Sequence, residues 1–381
     1  MMTDTDIMLY IHIPFCVRKC SYCDFLSQPA GKDIQENYVD VLCRQMEETK
    51  DKAVGLPVSS IFFGGGTPSL LTGMQIGKIL EVIRANYTLT EDCEISMEMN
   101  PGTVNPADLE LYKKAGINRV SLGLQSMQPE ELKMLGRIHT AQKFLESYEM
   151  VKKAGFTNVN VDLMMGLPGQ SWEALGDTIE KIVAIAPEHI SLYSLILEEG
   201  TKLYKEYADS DTLLTEEEDR ALYHKACELL QKAGYEQYEI SNFARPGFSC
   251  RHNEGYWRRR PYLSFGIGAA SFFEEQRWNN TSVLKDYLRG DFTPQDHEAL
   301  TEQDAMEEFM FLGLRTLKGI CEDEFTRCFE EDFREVYGEA VDRLLAEGLV
   351  QERERSGSCW LSCTKEGLDL NNYVCGAFLL D

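Results

Sequence analysis

The chain of 381 residues carries 38 basic and 63 acidic side chains, a net charge of −25, with 43% hydrophobic residues. That apolar content suits two or three domains with cores of their own and excludes disorder as the main state, while the negative excess argues against nucleic-acid binding. No apolar run approaches the roughly 18 to 20 residues that span a bilayer, and the start Met1-Met2-Thr3-Asp4-Thr5-Asp6 is acidic where a signal peptide is basic.

The expected location is therefore the cytoplasm, where the twelve cysteines stay reduced and clustered thiols point to metal or redox chemistry. Short β-branched or aromatic runs alternate with longer amphipathic stretches, the pattern of βα units on a parallel sheet. Strands are expected at residues 7–13, 59–63, 94–99, 119–125, 158–163 and 189–195. Directly after the first strand stands Cys16-x3-Cys20-x2-Cys23. Three thiolates on one short loop suit three irons of a cubane cluster and leave a fourth iron open to an exchangeable ligand. Zinc would want four ligands, and the step from Cys16 to Cys20 is unlike a C-x2-C knuckle.

The second strand runs into Gly64-Gly65-Gly66-Thr67-Pro68, where missing Cβ atoms let the backbone approach a ligand. Later strands carry polar residues at period two: Glu94, Ser96 and Glu98; then Ser121, Gly123 and Gln125; then Asn160 and Asp162. A packed barrel interior is apolar, so these faces predict a site inside a full or partial (β/α) barrel, at the C-terminal strand ends. Asn105-Pro106 opens a helix that Gly116 closes, and Pro129 opens the next, which reaches Gly136.

Past residue 195 the rhythm lapses. An acidic helix is expected over residues 215–233 and one extended strand over 235–244, before a linking region to 298. In that region a loop after Cys250 carries His252-Asn253-Glu254-Gly255-Tyr256-Trp257, between Arg251 and the triplet Arg258-Arg259-Arg260. An imidazole can ligate iron axially, Tyr256 and Trp257 offer flat faces to a porphyrin, and arginines pair with propionates. On the residues alone, a loop histidine with a Tyr-Trp packing anchor and a solvated basic face is the leading reading. Cys250 is either a thiolate ligand or a buried thiol.

From Thr301, helices over 302–317 and 331–347, a strand from Gly348, a turn at Ser356-Gly357-Ser358 and a strand at Trp360-Leu361 give a winged-helix-like order. Glu331, Asp332, Glu335 and Glu339 crowd its helix, which favours a packing or partner module over DNA binding. The fold class is thus α/β: a partial barrel over 1–235, a linking region over 236–298, and a small C-terminal domain over 299–381.

The segment from Tyr10-Ile-His-Ile-Pro-Phe-Cys16 through Tyr22-Cys23 resembles the radical S-adenosylmethionine (SAM) superfamily. Within it, the chain looks like the oxygen-independent coproporphyrinogen III oxidase branch and its relative, the heme chaperone family HemW. The resemblance implies a [4Fe-4S] cluster on Cys16, Cys20 and Cys23, SAM on the open iron, and reductive cleavage of SAM to a 5′-deoxyadenosyl radical. It also implies SAM contacts at Tyr10, Tyr22, Gly66, Thr67, Glu98, Gln125, Arg137 and Asp162, of which Glu98, Gln125 and Asp162 coincide with inward polar positions.

Two features set the chain apart from the oxidases. Phe25 stands where their pattern has a further cysteine, and only nine residues precede Tyr10, where they carry a long extension. Residues 252–257 match the H-N-x-x-Y-W heme motif of HemW. The implied activity is cytosolic heme binding and transfer to an acceptor hemoprotein, with an electron donor such as a flavodoxin or ferredoxin. Coproporphyrinogen dehydrogenation and radical SAM heme methylation are the alternatives.

Overall fold

In the computed structural model, which describes residues 6–380, six parallel strands form in chain order: β1 (Ile7–Ile13), β2 (Val58–Gly65), β3 (Leu89–Met99), β4 (Arg119–Gln125), β5 (Val159–Met165) and β6 (His189–Ser194). The acidic stretch 1–5 lies outside the described residues. Each strand pairs with the next in parallel register, Tyr10 beside Phe62, Glu98 beside Ser121 and Asp162 beside Ser191. The outward face carries Ile11, Phe63, Met97, Leu122 and Val161, all buried in one core beneath the helices. The inward face carries the polar set. A parallel sheet covered on one side by helices has to place its polar residues on the other, which here curves around the site.

Local signals set the element ends. Asn105 accepts from the backbone N–H of Asp108 ahead of the helix Pro106–Ala115, and Gly116 closes it with φ 110°. Thr215 forms a capping box with Glu218 at the start of the helix Glu216–Lys232.

Residues 236–298 do not merely link. The strand expected over 235–244 divides into β7 (Glu236–Gln237) and β8 (Asn242–Ala244), and β8 runs antiparallel to β6. The break is electrostatic. The fully buried Glu239 carboxylate accepts from Ser241 N at 2.8 Å and Asn242 Nδ2 at 2.6 Å and pairs with Arg315 at 2.9 Å, which turns the chain between the two short strands. At the opposite edge β9 (Tyr262–Phe265) lies parallel to β1, followed by β10 (Ala270–Phe273), β11 (Gln276–Asn279) and β12 (Gln295–Ala299). The resulting 12-stranded sheet is open, with order β12-β11-β10-β9-β1-β2-β3-β4-β5-β6-β8-β7, hence a partial barrel.

The C-terminal unit has its own core of Met310, Phe325, Tyr337, Val341 and Leu361. Its strands are β13 (Ile320–Cys321), β14 (Val350–Arg355) and β15 (Ser358–Cys363), in the order β13-β15-β14. Ser356 and Gly357, at φ 55° and 83°, make the tight turn between β14 and β15. The first helix of the unit, Glu302–Gly313, ends short of the expected 317 because Thr316 and Leu317 pair with Glu239 and Tyr238 of the barrel unit. A further helix, Glu322–Phe329, was not legible as an element.

Candidate cofactor site

The loop after β1 is closed at its base by two backbone hydrogen bonds, Cys16 N to Gln28 O at 3.1 Å and Gln28 N to Pro14 O at 2.8 Å. It is braced over the barrel mouth by Ser21 N to Leu135 O at 2.9 Å, Leu203 N to Ser21 O at 2.8 Å, and Arg18 donating to Gly136 O at 2.7 Å. Cys16, Cys20 and Cys23 are free thiols and each is half-buried, not sealed in. Among the described residues, the metal-ligand trio within 4.8 Å of one another is Glu322, Glu352 and Cys359. Arg334 is ion-paired with both of those glutamates. Cys20 and Cys23 border a concavity of about 680 Å³.

A chain of side-chain contacts runs from one cysteine to another. Cys16 Sγ meets Thr67 Oγ1 at 3.5 Å, Asn100 Nδ2 donates to Thr67 Oγ1 at 2.7 Å, Arg137 Nη2 donates to Asn100 Oδ1 at 2.6 Å, and Arg137 Nη1 lies 3.6 Å from Cys20 Sγ. Arg137 therefore brings a half-buried cation to the cluster loop. Asn100 is the member that sequence reasoning passed over; its signal was Asn100-Pro101 immediately after a strand, in step with the glycine turn after β2.

Gly66 shows why that turn excludes larger residues. A Cβ there would lie 2.7 Å from Phe15 O and 2.9 Å from Ile13 O, and Gly66 N donates to Ile13 O at 2.9 Å. Gly65 takes φ 106° and gives its N–H to Glu98 at 3.2 Å.

Below the loop the inward polar residues form one network. Ser121 donates to Asp162 at 2.8 Å, Asn160 donates to both Ser121 and Asp162 at 2.7 Å, and His189 Nδ1 contacts Asn160 Oδ1 at 2.6 Å. Burial, helped by the charge of Asp162, pushes the Glu98 carboxyl up to about 8. Burial likewise raises Asp162 and the Tyr10 and Tyr22 hydroxyls. Gln125 ends β4 in a left-handed conformation, φ 73°. That left-handed residue sits at the C-terminal end of β4, at the barrel mouth. Tyr10, Glu98, Gln125, Arg137 and Asp162 thus come together with the loop, as do Tyr22, Gly66 and Thr67.

The motif at residues 252–257 is placed differently. It is a helix, Arg251–Trp257, and not a loop. Cys250 Sγ, Arg251 N and His252 N all meet the carboxylate of Glu94, at 3.5, 3.1 and 3.3 Å, near the N-terminal ends of the strands. His252 is buried, its Nδ1 2.8 Å from Ser60 Oγ and its Nε2 3.0 Å from Tyr256 OH, and its ring stacks on Phe62. Burial and the Arg119 charge hold its pKa down to about 3. Both ring nitrogens are engaged, so the expected axial imidazole is a neutral floor residue of the barrel in this conformation. Cys250 is a fully buried thiol pushed up to about 12 by burial.

The arginine cluster also disperses. Arg251 pairs with Asp92; Arg259 is buried against Glu308 at 2.7 Å and Glu275; Arg260 pairs with Asp6 at 2.7 Å and Arg258 with Glu254 at 3.4 Å. Trp257 reaches the other way, toward the C-terminal unit, with the Arg315 guanidinium 4.5 Å from its ring centroid.

Comparison with known proteins follows this division. Residues 10–182 match the family model of the radical SAM superfamily, and residues 300–370 that of the HemN C-terminal domain. The chain is 34% identical to the heme chaperone HemW of Lactococcus lactis, over 98% of this chain and 97% of that protein. It is 32% identical to the mitochondrial radical S-adenosyl methionine domain-containing protein 1 of Danio rerio, over 99% and 87%. The solved coproporphyrinogen III oxidase HemN of Escherichia coli superposes with a TM-score of 0.85 at 22% identity, covering 99% of this chain and 90% of that one, which shows the shared fold. With relatives this similar along its whole length, and with the cysteine loop seated over a polar partial barrel, the chain belongs to the HemW family of radical SAM proteins.

Proposed function

We propose that this protein is a heme chaperone: it binds heme and passes it to an acceptor hemoprotein, and it holds a SAM-liganded [4Fe-4S] cluster. The observation that carries the reading is the likeness to heme chaperones over barrel and C-terminal unit alike. Phe25, in place of the further cysteine of the oxidase pattern, supports it over coproporphyrinogen dehydrogenation.

Cys16, Cys20 and Cys23 would hold the cluster and leave one iron for SAM. The bound pair supplies a reducible sulfonium beside an electron source. Around it the chain's own residues bind and orient. Gly66 lets the backbone come close, and Arg137 brings a fixed cation toward the SAM carboxylate. Glu98, neutral up to about pH 8 without ligand, can donate as well as accept a hydrogen bond at a ribose hydroxyl. Tyr10, Tyr22, Thr67, Gln125 and Asp162 complete the wall. His252, Tyr256 and Trp257 belong to the heme function as one folded helix, in which His252 and Tyr256 set the position of Trp257.

We further propose a cytoplasmic protein served by a flavodoxin- or ferredoxin-type donor; among the described residues no helix is long and apolar enough to cross a membrane. The three spans 1–235, 236–298 and 299–381 serve as cofactor, motif-bearing and partner regions.

The test is anaerobic reconstitution followed by parallel assays of heme uptake, heme transfer to an apo-hemoprotein, and coproporphyrinogen turnover. Heme transfer without vinyl-bearing product is expected. Efficient turnover without heme uptake would overturn the reading.

A further inference from the structure

Between the helix Arg251–Trp257 and the C-terminal unit lies a cleft of about 770 Å³, a volume within the range of small-molecule sites. It stands apart from the cysteine loop. Trp257 lines it from the barrel unit and Trp360 from β15. Five cations share its wall, Arg258, Arg260, Lys318, Arg327 and Arg355, against three carboxylates, Asp6, Glu254 and Glu324. In a chain of net charge −25 this is a local reversal of sign.

The cations fall into two groups. Arg258 and Arg260 are already paired, with Glu254 and Asp6. Lys318, Arg327 and Arg355 enter no ion pair among the described residues. Lys318 and Arg355 instead lie over the Trp360 ring, at 4.1 and 5.8 Å from its centroid. Trp257 adds a second unmet demand, since its buried Nε1–H has no acceptor, and an unmatched buried donor is unusual in a folded protein. Two indole rings select a flat aromatic ligand, and three unpaired cations select carboxylates on it.

Resting on the heme-chaperone reading, we propose that heme docks in this cleft, its macrocycle against Trp257 and Trp360 and its propionates on Lys318, Arg327 and Arg355. The helix of residues 252–257 then serves heme through Trp257 at its end, with His252 locking the helix into the barrel floor. The cleft is formed by both units, whose relative position is held by the Arg315–Glu239 pair and by Asp369 against His224 at 2.9 Å. Movement between the units would open one wall, a route for release to an acceptor.

The test titrates full-length, cluster-reconstituted protein with hemin, following the Soret band and tryptophan quenching, and repeats it with hemin dimethyl ester. Wild type should bind hemin. Lys318→Glu with Arg327→Glu and Arg355→Glu should weaken it by about tenfold or more, Trp360→Leu should weaken both ligands, and the ester should bind wild type more weakly and ignore the charge reversal. Cluster absorbance and far-ultraviolet circular dichroism should stay as in wild type; if the triple variant misfolds, the single exposed Arg327→Gln should still weaken hemin several-fold.

Hemin bound equally by wild type and by every cleft variant would overturn the cleft while leaving the heme-chaperone reading standing. No hemin binding by reconstituted wild type would overturn both.

Discussion

Two segments of this chain carry the densest chemistry, the cysteine loop after β1 and the helix Arg251–Trp257, and they use it in opposite ways. The loop keeps three thiols half exposed and surrounds them with groups whose hydrogen bonds lead toward sulfur. The helix turns its thiol, imidazole and backbone amides onto one another and onto Glu94. A site needs unspent valence at an accessible place, whereas a buried satisfied network specifies packing. The same residue types therefore mean ligand in one segment and scaffold in the other.

The largest expected effect that breaks this comparison is at the loop. Cys20→Ala should abolish cluster formation, read as iron and sulfide content after anaerobic reconstitution, while Cys250→Ala should leave both unchanged. Loss of iron from the Cys250 variant would make it a ligand after all.

Next come the buried groups around the helix. Arg259→Ala takes from the buried Glu308 one of its two arginine partners, leaving Arg277, and should cost about 1.5–3 kcal/mol by denaturant unfolding. His252→Ala should cost about 2–4 kcal/mol, through a cavity and two abandoned hydrogen-bond partners. Unchanged stability with lost heme uptake in the His252 variant would instead identify a direct ligand.

A smaller effect concerns Glu98. A carboxyl whose folded-state pKa, about 8, exceeds its unfolded value stabilises the fold most below the unfolded pKa, and the contribution declines as pH rises toward the folded one. The melting temperature of the ligand-free chain should therefore fall by a few degrees between about pH 5 and pH 8 through this group. Glu98→Gln should flatten that decline; an identical pH profile would refute the shift. Smallest of all, Arg251→Ala removes a solvent-exposed pair with Asp92 and should leave the denaturant midpoint essentially unchanged, with hemin affinity unmoved, since Arg251 lies off the cleft.

Much of the barrel was legible because its signals are local. Residues 7–13 and 119–125 are strands to the residue, and Asn105, Pro106 and Gly116 bound a helix as their side chains dictate. The period-two polar faces led to the interior network for the same reason, since strand geometry alone sends alternate residues inward. Asn100 escaped because its role depends on Thr67 and Arg137, each more than thirty positions away. The single strand expected over 235–244 failed because Glu239 is paired with Arg315, 76 positions on. The motif helix read as a loop because its burial depends on Glu94 and Ser60 of other strands.

By itself, then, the order of residues determined the parallel sheet, the cysteine loop at the end of its first strand, the glycine turn beside it and the winged-helix-like tail, all of which follow from periodicity and short-range stereochemistry. Only the tertiary structure decided which titratable groups meet water and which meet each other. It buried His252, dispersed the arginine triplet and gathered Trp257, Trp360, Lys318, Arg327 and Arg355 around one cleft, because burial and pairing across long separations are properties of the packed chain and not of any segment.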